Sequence, residues 1–232
     1  MIILGIETST KTGSVALVSE KGAIAHYSLN IEITHSERLM STVDRVLHDT
    51  GVNLSGVDGF AVAVGPGSFT GLRIGVSTIK GLAFATGKPV AGVSTLKALA
   101  YSLPFAEFPV CSLLDARKNQ VYAALYQFDG QEPKPLMQET VITLSELEKK
   151  ISGKTIFLGE AVDVYRSDIT DLWGEKALFA PAFCNLPSAA IVAEIGLALI
   201  KKGTTADPDS LVPVYIRRAE AEVAWEKRQH SK

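Results

Sequence analysis

The chain is poor in the groups that most metal and thiol chemistry requires. Its 232 residues hold two cysteines, Cys111 and Cys184, far apart and in no CxxC pair. That usage suits a reducing compartment. The histidines are His26, His35, His48 and His230, and no two stand four apart on a helix, the clustering a zinc or iron site normally needs. Charge of one sign is missing too: the net charge is −2, which gives no electrostatic drive towards nucleic acid or an anionic membrane. The longest apolar run, Ala189–Ile200, is interrupted by Glu194 and is too short to span a bilayer. The opening MIILGIE carries no basic run and no small-residue cleavage site, so a cytoplasmic protein is expected. No Gly-Lys-Ser/Thr closes a P-loop and no G-x-S-x-G elbow is present. Ser9, Ser14 and Ser68 have no evident base beside them.

What is present is core material. Hydrophobic residues make up 47% and charged residues 21%, a composition that folds rather than stays disordered. The chain is organised around Gly65–Gly75, GPGSFTGLRIG. It follows FAVAV at 60–64, which reads as a strand buried on both faces. It precedes Phe69, Leu72, Val76, Ile79 and Ala83 at helical spacing. The glycines therefore occupy a tight strand-to-helix turn, with Ser68 or Thr70 as cap. Such a turn either holds an anion at the helix start or lets a second backbone come close. Gly71, Gly75 and Thr78 form a small-residue stripe, which packs flat either inside this domain or against a partner.

Taken in order, IILGIE at 2–7, 13–19 and 23–29 read as a three-strand meander. A helix follows over 36–49, with a Thr34–Glu37 capping box, Gly51 past its end, and an apolar face of Leu39, Met40, Val43, Val46 and Leu47. Strand 60–64, helix 69–86, strand 89–93 and helix 95–103 complete an α/β lobe. A shift of 108 residues lays Ile2–Glu7 on Val110–Asp115, Gly13–Val18 on Val121–Tyr126, and Gly22 on Gly130. The order of features repeats with little residue identity, which points to a duplicated lobe. The second lobe continues with strand 136–142, helix 144–151, strand 155–158 and helix 187–202. The expected division is an N-terminal lobe over 1–104 and a smaller one over 105–232. The tail 219–232 mixes both charge signs and reads as a solvated helix or a frayed end.

Glu7 and Asp115 each end the first strand of a lobe. In a two-lobed nucleotide-binding fold those positions face the cleft and manage magnesium or the attacking water. The adjoining turns, ETSTKTG and DARKNQV, are short of the glycine that lets amides reach a phosphate. The Gly-x-Gly-x-x-x-Gly spacing at 65–71 is one residue longer than the dinucleotide fingerprint and lies in the fourth strand–turn.

The strings GIETSTKTGSVAL, THSERLM, GPGSFTGLRIGVSTIKGLA and PVYIR together resemble the TsaB (YeaZ) family. Its members act in the bacterial machinery that puts threonylcarbamoyl on the adenosine beside the anticodon of certain tRNAs. The resemblance implies a two-lobed actin, Hsp70 and sugar-kinase type fold made of duplicated ribonuclease-H-like lobes. It also implies a non-catalytic scaffold that binds no cofactor alone. Such a scaffold pairs with the catalytic TsaD-type subunit, is joined by the TsaE-type ATPase, and dimerises when alone. ATP or ADP would sit at the complex junction, and tRNA would be met through the complex, with no membrane involved. The implied interface lies on the first two helices, at Leu39, Met40, Val43, Leu47, Gly71, Leu72, Gly75 and Thr78. The metal-binding histidine pair of TsaD falls here on Thr95 and Leu99, which supply no imidazole. Two other readings stay open: a stand-alone ATPase or kinase using Glu7 and Asp115, and a metal-dependent glycoprotease-like hydrolase.

Overall fold

The computed structural model describes residues 1–30 and 35–217. The Thr34 cap and the tail 219–232 lie outside them. In the first lobe, β1 (Ile2–Glu7), β2 (Thr12–Ser19) and β3 (Gly22–Asn30) form the meander, and α1 (His35–Thr50) follows. Next come β4 (Gly59–Gly65), α2 (Phe69–Thr86), β5 (Val90–Ser94) and α3 (Thr95–Ala100). The sheet order is β3-β2-β1-β4-β5, with β4 parallel to β1 and β5 parallel to β4. β1 and β4 are central and covered on both faces, which is why each is an unbroken apolar run. Ser68 caps α2 by accepting the Gly71 amide at 3.2 Å. Gly87 ends it at φ +67°, the left-handed conformation that glycine adopts without penalty.

The second lobe has β6 (Val110–Asp115), β7 (Val121–Asp129), β8 (Glu132–Ile142), α4 (Leu144–Glu148) and β9 (Thr155–Leu158). It continues with α5 (Glu160–Trp173), β10 (Ala177–Phe179) and α6 (Ala189–Lys201). Its sheet runs β10-β9-β6-β7-β8, the strand-for-strand counterpart of the first. The repeat seen at a shift of 108 residues is thus a repeat of topology. Two of these elements, α5 and β10, are missing from the sequence reading, and α3 stops at Ala100 rather than at 103.

The helix expected in the second lobe over 187–202 covers the first sheet instead. α6 shares a core with Ile3, Ala16, Ala61 and Val93. Small residues set its approach: a Cβ on Gly196 would lie 2.3 Å from Ala61 Cβ, and one on Gly5 would lie 2.5 Å from the Ala189 carbonyl oxygen. In exchange, α3 packs on the second sheet, where Leu96 and Leu99 join Val110, Leu114, Tyr126 and Leu158. Each sheet is therefore covered on one face by a helix from the other half of the chain.

The chain after α6 returns along the edge of the first sheet as a strap. Ala206 donates to the Val90 carbonyl at 2.8 Å, Val214 donates to that of Val64 at 2.7 Å, and Leu211 enters the core beside β4 and β5. Tyr215 stacks on Phe69 with centroids 4.5 Å apart. The Arg73 guanidinium lies 3.8 Å over the Phe69 ring and donates from Nε to the Tyr215 hydroxyl at 2.9 Å. Arg217 then crosses to the other lobe, donating to the Ala116 carbonyl and to Gln120 Oε1. Tyr215→Ala removes the stack and one hydrogen bond, so urea unfolding should show a loss of about 2 kcal/mol. A loss within error would mean the strap does not hold the fold.

Candidate functional site

The cleft between the lobes is where the sequence places its chemistry, at the ends of β1 and β6. The glycine-rich turn after β4 closes on the β1–β2 turn. A Cβ on Gly67 would lie 2.4 Å from the Ser9 carbonyl oxygen. The Ser68 amide donates to that same oxygen at 2.6 Å, and the Thr8 hydroxyl donates to the Gly71 carbonyl at 2.8 Å. Of the two uses open to this turn, the structure takes the close approach of a second backbone.

The hydroxyl-rich β1–β2 turn is sealed as a result. Thr8, Ser9, Thr10 and Thr12 are all buried, and Glu7 is wholly so. The Ser9 amide donates to Glu7 Oε1, while Glu7 Oε2, Ser9 Oγ and Thr12 Oγ1 have no hydrogen-bond partner among the described residues. Burial is the main cause that lifts the Glu7 pKa to about 7; hydrogen bonding from the Ser9 amide opposes it, and the charge of Glu160 adds to it.

Asp115 stands half-buried at the corresponding strand end. Its Oδ1 accepts from the Arg117 amide at 2.8 Å and from the Tyr165 hydroxyl at 3.4 Å. Glu160, at the start of α5, is the third acid here and is missing from the sequence reading. Burial raises its pKa, Asp115 raises it further, and Lys11 and Arg117 pull it back. The signal that would have found it is Leu158-Gly159-Glu160, a buried strand running through glycine into a helix. Gly159 has φ +109°, and a Cβ there would lie 2.0 Å from the Leu113 carbonyl oxygen. The β6–β7 turn makes its left-handed bend without glycine, through Arg117, Lys118 and Asn119 at φ 63°, 55° and 55°. Glu160 thus repels both Glu7 and Asp115, and Lys11 and Arg117 offset its charge. Among the described residues no group of three or more His, Cys, Asp or Glu side chains is arranged to hold a metal ion. Thr95 and Leu99 are core residues.

The residues expected on the helical face divide by burial. Leu39 and Val43 are buried in the first lobe's core, and Gly71, Leu72 and Gly75 are buried on the inner face of α2. A Cβ on Gly75 would lie 2.4 Å from Thr8 Oγ1, so the small-residue stripe packs on the chain's own sheet. Leu47 and Thr78 are half-buried. The surface that α1 and α2 leave open carries Met40, Gly81 and Phe84. Phe84 is 89% exposed, and a Cβ on Gly81 would meet nothing within 4 Å.

The chain is 34% identical to the tRNA threonylcarbamoyladenosine biosynthesis protein TsaB of Bacillus subtilis, over 99% of this chain and 100% of that protein. The chain belongs to the TsaB family. The family model described as TsaD, tRNA N6-adenosine threonylcarbamoyltransferase, matches residues 30–225. A solved Pseudomonas aeruginosa protein described as similar to peptidase YeaZ superposes with a TM-score of 0.79 at 28% identity, covering 93% of this chain and 99% of that one. The ROK hexokinase of Thermus thermophilus, 12% identical with a TM-score of 0.53 over 88% of this chain and 100% of its own, shares the fold alone. The two-lobed actin and sugar-kinase architecture expected from the TsaB strings is therefore the one observed. Those strings also have structural work in this TsaB-family chain: GPGSFTG seals the β1–β2 turn, and PVYIR is the strap. No helix among the described residues is long and apolar enough to cross a membrane.

Proposed function

We propose that the chain is a non-catalytic scaffold subunit of the machinery that transfers threonylcarbamoyl to the adenosine next to the anticodon of tRNAs. The observation that carries this reading is full-length kinship with a protein named for threonylcarbamoyladenosine biosynthesis. Lack of its own chemistry is supported by Glu7, whose carboxyl is enclosed by its own turn and out of reach of a nucleotide. Pairing with a TsaD-type catalytic subunit is supported by the family match and by the open face of α1 and α2. Two such helices from each partner make a bundle, with Phe84 as the aromatic anchor and Gly81 as the point of close approach. The same face serves a homodimer when the chain is alone. A TsaE-type ATPase joins the pair, ATP or ADP is held at the subunit junction, and tRNA is reached through the complex in the cytoplasm.

Size-exclusion chromatography with a purified TsaD-type subunit tests the reading. Phe84→Glu should leave stability within about 0.5 kcal/mol and weaken pairing at least roughly thirtyfold, the effect of losing a buried aromatic hot spot. Unchanged pairing in this variant would remove the face from the proposal. Full tRNA modification with the chain omitted would remove the scaffold role.

A further inference from the structure

A pocket of about 210 Å³ opens between the start of α3 and the β7–β8 face, and its lining includes none of Glu7, Asp115 and Glu160 and no residue of α1 or α2. Its lining includes Ser94, Lys97, Tyr126, Pro135, Met137 and Glu139. The strand that supplies most of this wall is irregular. The register of β8 on β7 shifts twice, between Ala123 and Leu125 and again between Leu125 and Tyr126. Irregularities of this kind re-aim side chains and recur beside binding sites.

Glu139 is the side chain so placed. The Ser94 hydroxyl donates to its Oε1, and the Tyr126 hydroxyl also acts on the carboxyl. Burial raises its pKa, and the two hydroxyls oppose that rise. Lys97 lines the same pocket. No ion pair joins it to Glu139 among the described residues. Two opposite charges lining one pocket, Lys97 from α3 and Glu139 from β8, unneutralised by each other, leave room for a molecule that carries both signs. The volume narrows the choice, because drug- and cofactor-sized ligands take pockets of roughly 300–1,000 Å³.

We propose that this pocket binds a small α-amino acid as its zwitterion. The ammonium group lies on Glu139, the carboxylate lies on Lys97, and a short side chain rests against Pro135 and Met137. Both polar contacts are charge-assisted, and neither an amine nor a carboxylate alone makes the two together. The inference uses only this pocket and stands apart from the scaffold reading.

The test is an NMR titration of the ¹⁵N-labelled full chain with L-alanine, L-threonine and L-methionine. Saturable shifts at the amides of Ser94, Lys97 and Glu139, with a millimolar dissociation constant, are expected. Glu139→Gln and Lys97→Met should each weaken binding roughly tenfold, the loss of one charge-assisted contact. Propylamine and propionate, with one charge each, should bind at least as weakly as those variants. The absence of saturable shifts with all three amino acids overturns the proposal. So does equal affinity in wild type and variants, or propylamine binding as tightly as alanine. Thermal melts accompany both variants; if Glu139→Gln unfolds, Lys97→Met decides, since Lys97 sits half-exposed on α3 and its side chain makes no hydrogen bond among the described residues.

Discussion

Glu7→Gln is expected to flatten the dependence of folding stability on pH between about 4.5 and 7. The pKa of Glu7 is 4.5 in the ordinary exposed state and about 7 in the fold, with burial as the largest cause. Below the lower value both the folded and the unfolded chain hold the proton, and the group contributes no penalty. As pH rises from there the unfolded chain releases its proton while the folded chain keeps it, so stability falls. Above about 7 both forms are ionised and the loss is complete. The full loss is about 3 kcal/mol, a large part of a domain's net stability. Glutamine cannot ionise, so its slope should lack this component. Urea unfolding of both proteins between about pH 5 and pH 8 reads it directly. Parallel curves would mean that Glu7 titrates as an exposed carboxyl and that the β1–β2 turn is open to water.

Gly75→Leu should cost the monomer its fold rather than its partner. The sequence leaves both uses of the small-residue stripe open, and the TsaB resemblance, which puts Gly75 in the interface, implies the opposite. In the structure the position faces β1: a Cβ would already be 2.4 Å from Thr8 Oγ1. The hydroxyl of Thr8 is itself held by the Gly71 carbonyl. A leucine there must push α2 off the sheet or break that hydrogen bond. Overpacking of this kind costs about 3 kcal/mol or more when backbone has to move. The control is Gly81→Leu, six residues on, where nothing lies within 4 Å. It should stabilise the helix by up to about 1 kcal/mol and disturb only pairing. A Gly75→Leu chain that melts like wild type would return the stripe to the outer surface.

These two residues mark how far sequence reading carries. Strand 60–64, helix 69–86 with its Ser68 cap, the 2–7 strand and the repeat at 108 residues were all legible, because each rests on local periodicity or a local cap. Periodicity says that a face is buried but not what buries it. Gly75 and Gly81 look alike in sequence, yet one faces Thr8 and the other faces open space. α6 is apolar almost all round, so its pattern could not tell which of two sheets it would cover. α5 begins after Gly159, with no side-chain cap to announce it, and Glu160 was lost with it. The strap was legible only as the string PVYIR, since the partners of Tyr215 and Arg217 lie roughly a hundred residues or more away in the chain.

The exchange of covering helices bears on how the molecule comes apart. A break between residues 104 and 105 would leave α6 without its sheet and α3 without its own. Both fragments would expose apolar surface that no local refolding could hide. The two lobes, although duplicates in topology, are thus no longer separable modules. A single unfolding transition for the intact chain is the expected consequence of that mutual dependence.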